Sequence, residues 1–322
     1  MELHALADNI RKGNIRAIGK GITLIESRKP EHNQKAAQLL DLLLPHSGNS
    51  LRIGITGVPG VGKSTFIESF GSHLTQQGHK VAVLAVDPSS QITGGSILGD
   101  KTRMEELSRD PNAFIRPSPA GDTLGGVARR TRETMLLCEA AGYDIVIVET
   151  VGVGQSETTV ASMVDFFMLL QLATAGDELQ GIKKGVMELA DAVIINKADI
   201  DQQKTELARQ QYQNALHILR PKSGNWQVPV LTVSALQHQG VAEVWQMLVA
   251  FRTAMQQSGE FDETRRCQSV DWMWSLLMDD LKTLFLNHKE VKGIFPQLQE
   301  AVSQGITTPS AASRRLLDIF RR

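Results

Sequence analysis

Residues 51–65 read Leu51-Arg52-Ile53-Gly54-Ile55-Thr56-Gly57-Val58-Pro59-Gly60-Val61-Gly62-Lys63-Ser64-Thr65. A short apolar run, Leu51 to Thr56, has the character of a strand and breaks at Gly57. From Gly57 the chain fits Gly-x-x-x-x-Gly-Lys-Ser, and Phe66 to Leu74 continues with apolar residues at helical spacing. Strand, glycine loop and helix in that order predict a polyphosphate site. The loop Gly57, Val58, Pro59, Gly60, Val61, Gly62 can turn its backbone N–H groups inward, and the following helix adds its positive dipole end. Lys63 is then placed to reach the terminal phosphates, with the Ser64 hydroxyl on Mg²⁺ and Thr65 beside it.

Downstream, apolar runs alternate with helical patterns. Lys80 to Val86 reads as a buried strand ending in Asp87-Pro88-Ser89-Ser90, and Ala113 to Arg116 as a second short one. A long helix is expected over about Val127 to Ala141. Further strands follow at Tyr143–Val148, which ends in Glu149-Thr150-Val151-Gly152, then at Val164–Leu172, Ala192–Ile195 and Val230–Val233. Helices at about Thr205–Leu219 and Val241–Met255 complete the alternation. Continuous apolar strands separated by helices predict an α/β fold, a doubly wound and mostly parallel sheet with helices on both faces. Ligands of such sheets gather at the carboxyl ends of the strands. Asp87, Asp100 and Glu149 therefore become candidate Mg²⁺-region carboxylates, and Gly152 a close backbone approach to the γ-phosphate. A helix N-cap explains Asp100 equally well.

Both ends of the chain are helical. Leu3, Leu6 and Ile10, then Ile15, Ile18, Ile22 and Ile25, recur at helical spacing, and a third helix spans about Asn33 to Leu44. After Gly259 no strand pattern remains. Between Val270 and Leu286 apolar residues are too dense for one amphipathic stripe, so the helix is either packed on two sides or partly covered by a second subunit. The expected division is a helical extension over 1–48, a nucleotide domain over 49–256 and a helical arm over 257–322.

Of 322 residues, 42% are hydrophobic and 21% charged, which suits a globular chain with a large core. The formal net charge of −1 gives no global field for nucleic acid or an anionic membrane. Cys138 and Cys267 are far apart and read as reduced thiols, consistent with a cytoplasmic protein. The amino-terminal stretch is too polar for a signal peptide, and no apolar run reaches membrane-spanning length. Eight scattered histidines and no Cys-x-x-Cys argue against a transition-metal cargo site.

The base is read from Asn196-Lys197-Ala198-Asp199, which follows the Ala192–Ile195 strand. A carboxylate at Asp199 can accept from the ring N–H and the exocyclic amine of guanine, whereas adenine has no such pair of donors. Lys197 would lie over the ring and Asn196 would brace neighbouring loops. Ser234-Ala235-Leu236, after the next strand, would supply a backbone N–H to the guanine carbonyl. These residues predict a site for GTP and GDP.

At this point a family resemblance emerges. Gly57 to Thr65, Val86-Asp87-Pro88-Ser89-Ser90, Gly94 to Met104, Glu149 to Glu157, Gly176 to Lys183 and Asn196 to Asp199 together resemble the MeaB/ArgK family. These are P-loop GTPases that act as G-protein chaperones of methylmalonyl-CoA mutase. The resemblance runs over nearly the whole chain. It implies a homodimer joined through carboxyl-terminal helices and a partner that is an adenosylcobalamin-dependent acyl-CoA mutase. GTP hydrolysis would be coupled to loading or protection of the mutase cofactor. It implies metal-region roles for Ser64, Asp87, Asp100 and Glu149, and a third switch loop over Asp177 to Lys183. Catalytic roles fall to Lys63, Glu149 and Lys183. Ala173-Thr174-Ala175 and Ala120-Gly121-Asp122 depart from the family pattern. Val153 follows Gly152, where the Ras pattern has a water-positioning glutamine, and Gln155 is displaced by two places, so unaided hydrolysis should be slow. Some relatives carry a label as kinases of an arginine/ornithine transport system. An ATP-dependent kinase is therefore the alternative reading, and a metal-insertion GTPase the third.

Overall fold

The computed structural model describes residues 2–27, 29–86, 104–116, 124–150, 156–173, 184–219 and 222–321. The chain divides into two compact units, Met1–Thr264 and Arg265–Arg322.

Among its described residues the larger unit is built on seven strands: β1 (Leu51–Gly57), β2 (Val81–Val86), β3 (Ala113–Arg116), β4 (Ile145–Thr150), β5 (Phe166–Leu172), β6 (Ala192–Asn196) and β7 (Val230–Thr232). All pairings are parallel, in the order β3-β2-β4-β1-β5-β6-β7. Strand β1 is therefore central, between β4 (Ile55 opposite Glu149) and β5 (Gly57 opposite Leu170). With every strand running the same way, β1, β4 and β6 end at one edge. The continuous apolar runs are explained by burial on both faces.

On one face lie α4 (Lys63–Gln76) and α9 (Val241–Ser258), and there Phe66, Ile67, Phe70 and Leu74 pack with Ile53, Ile55 and Ile147. The other face carries α5 (Leu124–Ala140), α6 (Ser156–Ala161), α7 (Lys184–Leu189) and α8 (Gln202–Ile218). Three amino-terminal helices, α1 (Glu2–Arg11), α2 (Ile15–Glu26) and α3 (Pro30–Leu43), lay Ile10, Ile18, Ile22, Leu39 and Leu43 against Leu137 and Cys138 of α5. Arg116 of β3 pairs with Glu26 of α2 at 2.5 Å, so the extension is tied to the sheet by charge as well as by packing.

The lower edge, where the strands begin, has a repeated device. Asp144, Asp165 and Asp191 each precede a strand, and each accepts from the backbone N–H that opens the neighbouring strand: Lys80 at 2.7 Å, Arg52 at 2.8 Å and Phe167 at 2.8 Å. Each returns its own N–H to the same residue's carbonyl. Three aspartates thereby satisfy backbone groups at the lower edge of a buried sheet.

In the smaller unit, the end of α10 (Glu260–Asn287) meets α11 (Lys289–Ser303) and α12 (Pro309–Phe320). Val291, Leu298, Ala312 and Leu316 form its small core, with Phe285 and Phe320 in edge-to-face contact at 5.2 Å. Among the described residues, no helix is long and apolar enough to cross a membrane.

Candidate nucleotide site

The glycine loop follows β1 at the upper edge and runs into α4. Gly57 sits tightly against β5: an added Cβ would lie 2.6 Å from the Leu170 carbonyl oxygen. Gly62, in the left-handed region at φ 91, is the residue from which α4 starts, and a Cβ there would lie 2.8 Å from Asn196 Nδ2. Only glycine fits both demands at Gly62, of conformation and of space.

Lys63 opens α4, and its ammonium donates to the Gly57 carbonyl at 2.8 Å. Burial pulls Lys63 below the ordinary lysine value, while the charges of Glu149 and then Glu157 pull it back up. Glu149, 9% exposed, is thus close enough to Lys63 for its field to matter. Glu157, buried on α6, was given no role by the sequence motifs. In the sequence it is marked only as the last residue of the Glu149 to Glu157 stretch. Thr56 and Thr150 join the ends of β1 and β4 through a buried hydroxyl pair at 2.7 Å.

The base-reading stretch meets the phosphate loop directly. Asn196, 1% exposed, donates from Nδ2 to the Val61 carbonyl at 2.9 Å and accepts from Ala235 N–H at 3.1 Å. One side chain thus bridges the glycine loop and the Ser234-Ala235-Leu236 turn. Lys197, at φ 60, donates to the Gly60 carbonyl at 2.9 Å, so its stem lies along the loop. Asp199 is exposed and shares with Ser234 the wall of a cavity of about 520 Å³. The structure therefore brings Gly57 to Thr65, Glu149, Asn196, Lys197, Asp199 and Ser234 to Leu236 to one edge. Asp87, Asp100, Gly152 and Lys183 lie outside the described residues.

As a metal site, Ser64 and Glu149 offer a hydroxyl and a carboxylate, hard oxygen donors of the kind Mg²⁺ takes. Among the described residues no group of three His, Cys, Asp or Glu side chains could hold a metal by itself. Two protein donors with the remaining positions left to phosphate oxygens and water is the arrangement that fits Mg²⁺ in nucleotide sites.

Comparison with known proteins places the chain among close relatives. The family model described as "Methylmalonyl Co-A mutase-associated GTPase MeaB" matches residues 18–290. A "probable GTPase" of Mycobacterium tuberculosis is 53% identical over 315 residues, covering 98% of this chain and 94% of that protein. The mouse protein named "Methylmalonic aciduria type A homolog, mitochondrial" is 45% identical over 321 residues, covering 96% of this chain and 77% of that one. A solved structure titled as an LAO/AO transport system kinase superposes with a TM-score of 0.80 at 43% identity, covering 99% of this chain and 98% of that chain.

Proposed function

The chain belongs to the family of methylmalonyl-CoA mutase-associated GTPases, and on that premise we propose that it is the G-protein chaperone of an adenosylcobalamin-dependent acyl-CoA mutase. Its hydrolysis of GTP to GDP and phosphate would be coupled to loading or protecting the mutase cofactor. The observation that carries the guanine reading is Asn196, which ties the phosphate loop to the base turn through Val61 and Ala235.

In this reading Lys63 offsets phosphate charge at the amino end of α4, where backbone N–H groups and the helix dipole already favour an anion. Asp199 accepts from the two guanine donors, and Lys197 lies against the ring. Ser64 and Glu149 would hold Mg²⁺, with Asp87 and Asp100 as the further expected carboxylates. Bound there, the ion neutralises phosphate oxygens. Lys183 is the group that a bound mutase would bring to bear. Val270, Trp274, Leu277, Leu281 and Leu284 of α10 stand exposed, and a second copy would cover them, which makes the protein a homodimer. The kinase title belongs to the solved relative. In this chain Asn196, Lys197 and Asp199 at the loop edge favour guanine over adenine.

The test has two arms. Asp199→Asn should lower GTP affinity on the order of a hundredfold and recover much of it with XTP, because two polar contacts that the bound base would cover are mismatched at about 1–3 kcal/mol each. Hydrolysis followed with and without purified methylmalonyl-CoA mutase should be slow alone and accelerated by the mutase. Unchanged GTP binding in the variant removes the guanine site. A rate indifferent to the mutase removes the proposed partner.

A further inference from the structure

The turn after β7 holds a histidine in a conformation that suits glycine. His238 has φ 55, in the left-handed region that is uncommon for residues other than glycine, though histidine enters it more readily than most. It is exposed, so packing in the core does not account for it. Its ring does make a specific bond: Nδ1 lies 2.7 Å from the hydroxyl oxygen of Ser69. Ser69 is buried on α4, the helix that opens with Lys63. Six residues separate the two, about 9 Å along a helix axis.

The turn itself is closed on every side. Ser234 N–H donates to the Gln239 carbonyl and Gln239 N–H to the Ser234 carbonyl, both at 3.0 Å. Ser234 Oγ accepts from Gln237 N–H at 3.3 Å, and the Ala235 carbonyl accepts from His238 N–H at 3.4 Å. A hold on His238 is therefore a hold on Ser234, Ala235 and Leu236. Asn196 grips the same turn from its other end through Ala235.

We propose that His238 is a positioning residue for the base: its bond to Ser69 fixes the Ser234–Leu236 turn against the phosphate-loop helix, so that turn and loop grip one nucleotide at a set spacing. Asn196 ties the turn to the loop, and His238 ties it to the helix behind the loop. Two anchors on different parts of the phosphate element fix the turn's angle as well as its distance, which one anchor cannot do. The backbone N–H offered to the guanine carbonyl is the group whose position this sets. The proposal rests on the reading of Ser234–Leu236 as the base turn.

The experiment compares wild-type, His238→Gly, Ser69→Ala and the double variant in binding GDP, 6-thio-GDP and pyrophosphate, with thermal unfolding in parallel. 6-Thio-GDP keeps both donors that face Asp199 but replaces the carbonyl oxygen with a poorer acceptor, so the GDP to 6-thio-GDP ratio reports the turn's contact. His238→Gly relieves the φ strain and should unfold at about the wild-type temperature. It should lower GDP affinity about threefold to tenfold, the range of one hydrogen bond, and shrink the ratio by the same factor. Pyrophosphate affinity should be unchanged. Ser69→Ala should reproduce the effect, and the double variant should add nothing to it. Wild-type GDP affinity and ratio in His238→Gly overturn the proposal, as does an equal loss for pyrophosphate or additivity in the double variant. A failure of the base-turn reading has a different signature: wild-type protein would bind ADP as well as GDP, and Asp199→Asn would change neither. That result overturns both.

Discussion

Gly62 stands where two motifs touch. Its φ of 91 starts α4, and the space beside its Cα is taken by the Asn196 amide, which is itself committed to Val61 and Ala235. An added methyl group would meet a backbone penalty of about 1–2 kcal/mol. It would also push Asn196 off at least one of its two partners, and a buried hydrogen bond left unmade costs about 1–3 kcal/mol. Gly62→Ala should therefore weaken GTP binding tenfold or more, and should also disturb the base turn some distance from the substitution. Calorimetric titration gives the first effect. The GTP to ITP affinity ratio gives the second, because ITP lacks the amine that Asp199 would accept from. A Gly62→Ala protein with wild-type affinity and ratio would show that the loop and the base turn are not mechanically joined through Asn196.

At the scale of elements, α5 is fastened to the start of β1 by a buried ion pair. Arg52 donates to Glu139 through Nε at 2.7 Å and through a terminal nitrogen at 2.9 Å, and the Ser50 hydroxyl and the Gly48 N–H donate to the same carboxylate at 2.5 and 2.8 Å. Burial alone would raise the Glu139 carboxyl above its ordinary value. The Arg52 hydrogen bonds and charge, with Ser50 and Gly48, outweigh that and hold it below. A carboxylate with a depressed folded value stabilises the fold above its unfolded value, about 4.3, and loses that contribution as pH falls through the folded one. Glu139→Gln leaves the largely covered Arg52 with only the charge of Asp165 facing it, and removing one partner of such a pair costs up to about 3–5 kcal/mol near pH 7. The gap between wild-type and variant stability should narrow as the pH drops through the acid range, and denaturant unfolding at several pH values measures it. A gap independent of pH would mean that the pair contributes packing alone. Nothing local in the sequence announces this pair, because its members lie 87 positions apart. Asp144, Asp165 and Asp191 were equally silent: an aspartate before a strand looks like any loop residue until the neighbouring strand is known. The strands themselves were legible because double burial writes continuous apolar runs, and the loop was legible because Gly57 and Gly62 occupy fixed steps from Lys63. The order of strands was not, since no residue in β4 says that it slips between β2 and β1.

For the whole molecule, the assembly state turns on the apolar residues that α10 carries exposed. On α10, Val270, Trp274, Leu277, Leu281 and Leu284 are all exposed, Trp274 to 55%, with Met273 and Met278 beside them. Their steps of four, three, four and three residues are the repeat of a helix that packs along another helix. Apolar residues between Val270 and Leu286 are too many for one helical face. The exposed ones in fact include a continuous heptad stripe, flanked by methionines that would adapt to a neighbour. Fully burying a side chain of this size contributes about 1.5–3 kcal/mol, and these are already about half covered, so five from each of two helices contribute roughly 7–15 kcal/mol, enough to offset much of the roughly 4–15 kcal/mol lost in freedom on association. Leu277→Asp with Leu281→Asp places two carboxylates in the middle of the stripe. Sedimentation velocity at micromolar concentration should find the wild-type protein dimeric and this variant monomeric. Circular dichroism should show helix content retained, since both positions are already exposed. GTP affinity should stay close to wild type, because Gly57 to Thr65 and Asn196 to Asp199 belong to the other compact unit. A variant that still sediments as a dimer would place the interface elsewhere, and a monomeric wild type would leave the stripe to a different partner.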